Sequence, residues 1–135
     1  MFEFVRHWSR RSYDDPRIAE QGRLVLVTEA VNSVAQRQAA TINAIAHEIG
    51  IDQSGASRLV KEAVAAGYLQ TQPAETDTRR RDVTVTKSGL AMLNHAHQWQ
   101  EEIFAQLTTT WTSRQRATFH QAMQNLLETS HALNP

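Results

Sequence analysis

The chain has 135 residues, with 14 Lys and Arg against 14 Asp and Glu, and no cysteine. That length is one domain's worth, and the missing cysteine excludes disulfides, thiolate metal sites and thiol redox sensing. Zero net charge excludes a polycation that coats nucleic acid without specificity, but leaves local concentrations of charge open. No apolar run approaches the roughly 18 residues of a membrane helix. The opening MFEFVRHWSRRSYDD has neither the apolar centre nor the cleavage site of a signal peptide, so a cytoplasmic protein with no membrane partner is expected.

In chain order, Phe4, Val5 and Trp8 lie at helical spacing in a segment too short to stand alone. Asp15-Pro16 reads as a cap followed by proline at a first helical position. From about 16 to 37, Leu24, Val27, Val31 and Val34 form a helical stripe. The β-branched run Leu24–Val27 and the helix-weakening Gly22 keep a strand open as the alternative. Thr41 caps a further helix with Ile42, Ile45, Ala46 and Ile49 on its apolar face, and Gly50 ends it. Asp52 caps a helix over about 53–66, with Ala56, Leu59, Val60, Ala63 and Val64 inward and Gly67 at its end. The period then changes. Tyr68–Thr71 and Asp82–Thr86 read as strands of an antiparallel hairpin, with a polar loop holding Pro73, Asp77 and Arg79–Arg81 between them. A long helix over about 88–110 follows, and Thr112 or Ser113 caps a last one carrying Phe119, Ala122, Met123, Leu126 and Leu127.

Two short helices joined by Gly50-Ile51-Asp52 have the spacing of a helix–turn–helix. Its second helix offers Gln53, Ser54, Gly55, Ser57, Arg58 and Lys61 outward. Gln can read adenine and Arg guanine through paired hydrogen bonds, and Ser suits bases or phosphates. Lys61, a turn further on, suits phosphate. A plain helical hairpin with a solvated face would look similar. The cluster Arg79, Arg80 and Arg81 beside it argues for more. Exposed ion pairs contribute only about 0–1 kcal/mol, whereas a narrow minor groove attracts inserted Arg.

The stretch Thr41–Gly89 resembles the winged helix–turn–helix of the MarR family of bacterial transcription regulators. TINAIAHEIGIDQSGASRLVKEAVAAGYL is similar to the family's helix–turn–helix, ETDTRRRDVTVTKSG to its wing and WTSRQRATFHQAMQNLLETS to its final helix. The resemblance implies a mainly α fold with a small β-hairpin wing (α+β), built as one domain over 1–135. About 16–87 would be the DNA-binding part, and 1–15 and 88–135 the dimerisation helices. It implies a homodimer on double-stranded DNA, with recognition helices in successive major grooves. Arg79 would then enter the minor groove, Asp77 would hold that arginine, and Arg80 and Arg81 would contact phosphate. Thr78 stands where the family often has a basic residue, and residues 16–40 lack its usual Leu-Thr-x-x-Gln opening. Repression, relieved by a small aromatic or anionic effector, is the family default; Trp8, Arg23, His97 and Trp99 are the candidates to line an effector cleft.

Residues 88–111 carry two apolar stripes: Met92, Ala96, Trp99, Ile103 and Leu107, with Leu93, Phe104 and Trp111 alongside. A helix apolar on more than one stripe is buried on more than one side. A two-fold partner would supply the second side and call for a pseudo-palindromic operator, with half-sites roughly 10 bp apart. A single monomeric core is the alternative. His95 and His97, two apart on a helix, cannot chelate together, and no metal or cofactor is expected. No phosphate loop or nucleophile motif points to an enzyme. The rival reading is a winged-helix interaction or ligand-binding module that does not bind DNA. The near balance over 52–87, six basic residues against five acidic, favours it.

Overall fold

A computed structural model describes residues 16–74 and 81–133. The described elements are α1 (Pro16–Ala35), α2 (Ile42–Ile49), α3 (Gln53–Ala65), β1 (Leu69–Pro73), β2 (Arg81–Val85), α4 (Lys87–Leu107) and α5 (Ser113–Leu133). They group into two compact units, one up to His97 and one from Gln98 onward, so the boundary falls inside α4.

In the first unit, α1 packs on α2, α3 and β2. The predicted stripe Leu24, Val27, Val31 and Val34 is buried, while Leu26 is 50% exposed. A strand would place Leu24 and Leu26 on one face, so this contrast settles the helix. Gly22 is also helical, and a methyl group there would meet nothing within 4 Å. Gly22→Ala is therefore expected to raise stability by about 1 kcal/mol through the lost backbone freedom of the unfolded chain. A thermal melt some 3–5 °C higher would register it.

The core is completed by Ile45 from α2, Val60 and Ala63 from α3, Leu69 and Val83 from the hairpin, and Met92 and Leu93 from the start of α4. Val64 departs from expectation: it is 37% exposed. At 100° per residue it sits about 90° from the centre of the stripe that Ala56, Leu59, Val60 and Ala63 share, which turns it off the core.

β1 and β2 pair antiparallel, Leu69 opposite Val85 and Pro73 opposite Arg81. The hairpin is thus longer toward its tip than the sequence indicated. Pro73 and Arg81 belong to its strands and not to the connecting loop. The Val83 N–H donates to the Ala40 carbonyl at 2.9 Å, which ties the segment before α2 to β2.

The hairpin base is tightly built. Thr86 Oγ1 donates to the Gly67 carbonyl at 2.6 Å and accepts from the Gly89 N–H at 3.0 Å, while the Thr86 N–H donates to the Tyr68 carbonyl at 3.0 Å. One threonine thereby caps α4 and closes the hairpin. Gly67 sits at φ 84°, a left-handed conformation that favours glycine.

The second unit is organised differently. α4 stops at Leu107, short of the expected 110, where Thr108 and Thr109 turn their hydroxyls onto carbonyls of the last turn. Thr108 Oγ1 donates to the Phe104 carbonyl at 2.7 Å and Thr109 Oγ1 to that of Gln106 at 2.7 Å, a bonding pattern that competes with helix continuation. Thr112 and Gln115 cap α5 reciprocally: the Gln115 N–H donates to Thr112 Oγ1 and the Thr112 N–H to Gln115 Oε1. Phe104, Trp111 and Phe119 cluster with ring centroids 5.4–6.2 Å apart. Among the described residues of this unit, Thr108 alone is buried.

Candidate nucleic-acid interface

The turn that orients α3 is set by glycine chemistry. Gly50 adopts φ 79°, ψ 35°, and its N–H donates to the carbonyls of Ala46 and His47. The Ile51 N–H closes onto the Ala46 carbonyl at 3.0 Å. This left-handed termination ends α2 cleanly and redirects the chain within three residues. Asp52 then caps α3 by accepting the Gly55 N–H at 3.0 Å. A methyl group on Gly55 would lie 2.7 Å from that carboxylate oxygen, so Gly55 serves the cap as well as keeping the outer face low.

With Ala56, Val60 and Ala63 buried, α3 turns Gln53, Ser54, Arg58 and Lys61 to solvent and leaves Gly55 and Ser57 half-buried. Arg58 and Lys61 make no ion pair among the described residues. Unpaired cations on a face of small side chains are available to an external anion. Two described acidic groups nearby are otherwise engaged. Glu62 lies 3.9 Å from Arg23 of α1. Glu48 of α2 takes Arg37 at 2.6 Å and Ser33 at 2.9 Å, which pins the end of α1 against α2.

Gln53 and Arg81 come together, a pairing that their separation in sequence conceals. Both line a cleft of about 530 Å³ with Gln38, Thr41, Ile42 and Asn43. The cleft lies where the start of α2, the start of α3 and the tip-side end of β2 meet. Gln38, Thr41 and Asn43 were not anticipated as site residues. Thr41 is also the expected cap of α2, accepting the Ala44 N–H at 3.2 Å.

Asp77, Arg79 and Arg80, assigned to the hairpin tip, lie outside the described residues, as does Trp8. Of the other effector candidates, Arg23 faces Glu62, and His97 Nε2 lies 3.0 Å from Glu29 Oε2. Trp99 is 57% exposed in the second unit. Among the described residues no three His, Asp or Glu side chains gather as metal ligands, and no helix is long and apolar enough to cross a membrane.

A helix–turn–helix with an antiparallel hairpin behind its second helix, flanked by a long helix, defines a winged helix–turn–helix protein. Residues 26–80 match the sequence model of the MarR family. A crystal structure of MarR superposes with a TM-score of 0.68 at 15% identity, covering 79% of this chain and 73% of that one. MarR from E. coli in its apo form gives 0.61 at 20% identity over 75% and 76%. A MarR protein from Peptoclostridium difficile gives 0.67 at 13% identity over 96% and 86%. No curated protein matches the chain in sequence. Residues 26–80 are thus similar in sequence to MarR-family transcription regulators, and the fold is that of the MarR structures.

Proposed function

We propose that the protein is a homodimeric repressor that binds a pseudo-palindromic operator and is released by a small aromatic or anionic effector. The observation that carries the DNA-binding part is the exposed face of α3. Arg58 and Lys61 stand there without an ion pair among the described residues, beside Gln53, Ser54 and Ser57, on a helix fixed by Asp52 and Gly50. In this reading Gln53, Ser54, Gly55, Ser57 and Arg58 meet base edges or nearby phosphates, Lys61 meets phosphate, and Arg79, buttressed by Asp77, enters the minor groove with Arg80 and Arg81 on the backbone.

The dimer rests on the second unit. A helical pair whose described residues bury Thr108 alone, and which exposes Trp99, Leu107, Phe119, Met123, Leu126 and Leu127 by 37–57%, has no adequate core of its own. Apolar surface of that extent on helices marks an interface. The division of labour that follows gives residues 16–87 to DNA and residues 1–15 and 88–135 to the dimer.

Selection from a random duplex pool tests the proposal. The expected result is a motif with two-fold symmetry and half-sites about 10 bp apart. Arg58→Ala should relax base preference at one position in each half-site by roughly 10-fold or more, while the salt dependence stays close to that of the parent. A pool that enriches no motif would leave the interaction-module reading in its place.

A further inference from the structure

The cleft between α2, α3 and the tip-side end of β2 has a composition that α3 alone does not explain. Among the described residues, its lining contributes the amides of Gln38, Asn43 and Gln53, the hydroxyl of Thr41 and the guanidinium of Arg81, and no carboxylate. Gln38, Asn43, Gln53 and Arg81 are all exposed, and Arg81 has no ion pair among the described residues. The nearest acids by sequence are committed elsewhere: Asp52 to the Gly55 N–H, and Asp82 to a partner of its own. Donors of this kind, converging with one fixed positive charge, suit an anion with several acceptor oxygens. A phosphate group has that geometry, and Arg is its preferred planar partner.

Resting on the DNA-binding reading, we infer that this cleft seats a backbone phosphate of the operator, with Arg81 supplying the charge and Gln38 and Asn43 the flanking hydrogen bonds. The seat joins the first residue of the recognition helix to the first residue of β2. It would fix the angle at which α3 enters the major groove while the wing spans the adjacent backbone. Such contacts set register and carry no sequence information directly. Gln38 and Asn43 are thus positioning residues, distinct from the base-reading set on α3.

The test uses the full-length protein, its selected operator and a duplex of unrelated sequence. Gln38→Ala with Asn43→Ala is expected to weaken both duplexes by a similar factor, roughly 10-fold or more across the two subunits, with an unchanged salt slope because no charge is lost. Arg81→Ala should weaken both and flatten the slope by about one phosphate contact per subunit. Asn43→Lys, which adds a cation to the cleft, should tighten both and steepen the slope. All three positions are exposed, so thermal melts should match the parent. A change below twofold in the double variant, with parent binding intact, overturns the inference and leaves the DNA-binding reading standing. Failure of the parent to bind any duplex overturns that reading, and the inference with it. Displacement of DNA by inorganic phosphate beyond chloride of matched ionic strength, lost on Asn43→Ala, would assign the cleft to a free anion and overturn the backbone assignment.

Discussion

Gly89→Ala is expected to destabilise the protein by about 3 kcal/mol or more, lowering the melting temperature by roughly 10 °C. A Cβ at this position would lie 2.2 Å from the Tyr68 carbonyl oxygen and 2.7 Å from Val85 Cγ1. The first of these neighbours is backbone, and it is already held by the Thr86 N–H. Relief therefore requires moving either the hairpin base or the first turn of α4, and both contribute to the core through Leu69, Val83, Met92 and Leu93. Because the hairpin hangs from this junction, operator affinity should fall along with stability. Thermal denaturation of Gly89→Ala beside Gly22→Ala makes the comparison internal. The same substitution in two helices should move the melt in opposite directions, since Gly22 has open space where Gly89 has a carbonyl. A Gly89→Ala melt within 2 °C of the parent would contradict the packing described.

Leu126→Lys combined with Leu127→Lys is expected to turn the proposed dimer into a monomer and to lower operator affinity by at least 100-fold. The two leucines are 49% and 55% exposed in the isolated chain, so the substitution breaks no contact of a monomeric core. In a two-fold interface every substitution acts twice. Full burial of an exposed leucine contributes about 1.5–3 kcal/mol, and these are already about half buried, so the pair across both subunits adds roughly 3–6 kcal/mol, before the cost of desolvating the new charges. Losing about 3 kcal/mol alone raises a dissociation constant by about 10². Sedimentation or light scattering reads the mass, and titration with the selected operator reads the coupling between dimerisation and binding. An unchanged mass together with unchanged affinity would assign this face to something other than a second copy.

Much of the first unit was legible because local chemistry and tertiary packing agree there. Thr41, Gly50 and Asp52 act as caps and turn where their residue types require it. The stripe of α1 is buried where its spacing places it. Where several inward readings were available, the sequence was less decisive. Val64 has the right residue type and lies one step past the edge of the buried stripe. Pro73 was read as a loop residue on its turn propensity, yet it ends β1 opposite Arg81. Proline is tolerated there because the two-stranded sheet leaves that strand an edge.

The candidate site divides along the same line. That α3 would present Gln53, Ser54, Arg58 and Lys61 outward followed from period 3.6 and the positions of its small apolar residues, which are properties of the chain read locally. That Gln38, Asn43, Gln53 and Arg81 share one cleft did not follow, because they come from three elements whose mutual placement depends on long-range packing. Thr86 and Gly89 close the stretch ETDTRRRDVTVTKSG, whose likeness to a wing was visible in the sequence. The cause of that ending, one threonine capping α4 and closing the hairpin beneath a glycine pressed against Tyr68, exists only once those segments meet. Residue order thus determined the helices, their caps and the face each would show. Packing decided which side chains from separate elements share a surface, because that depends on how the elements are brought together.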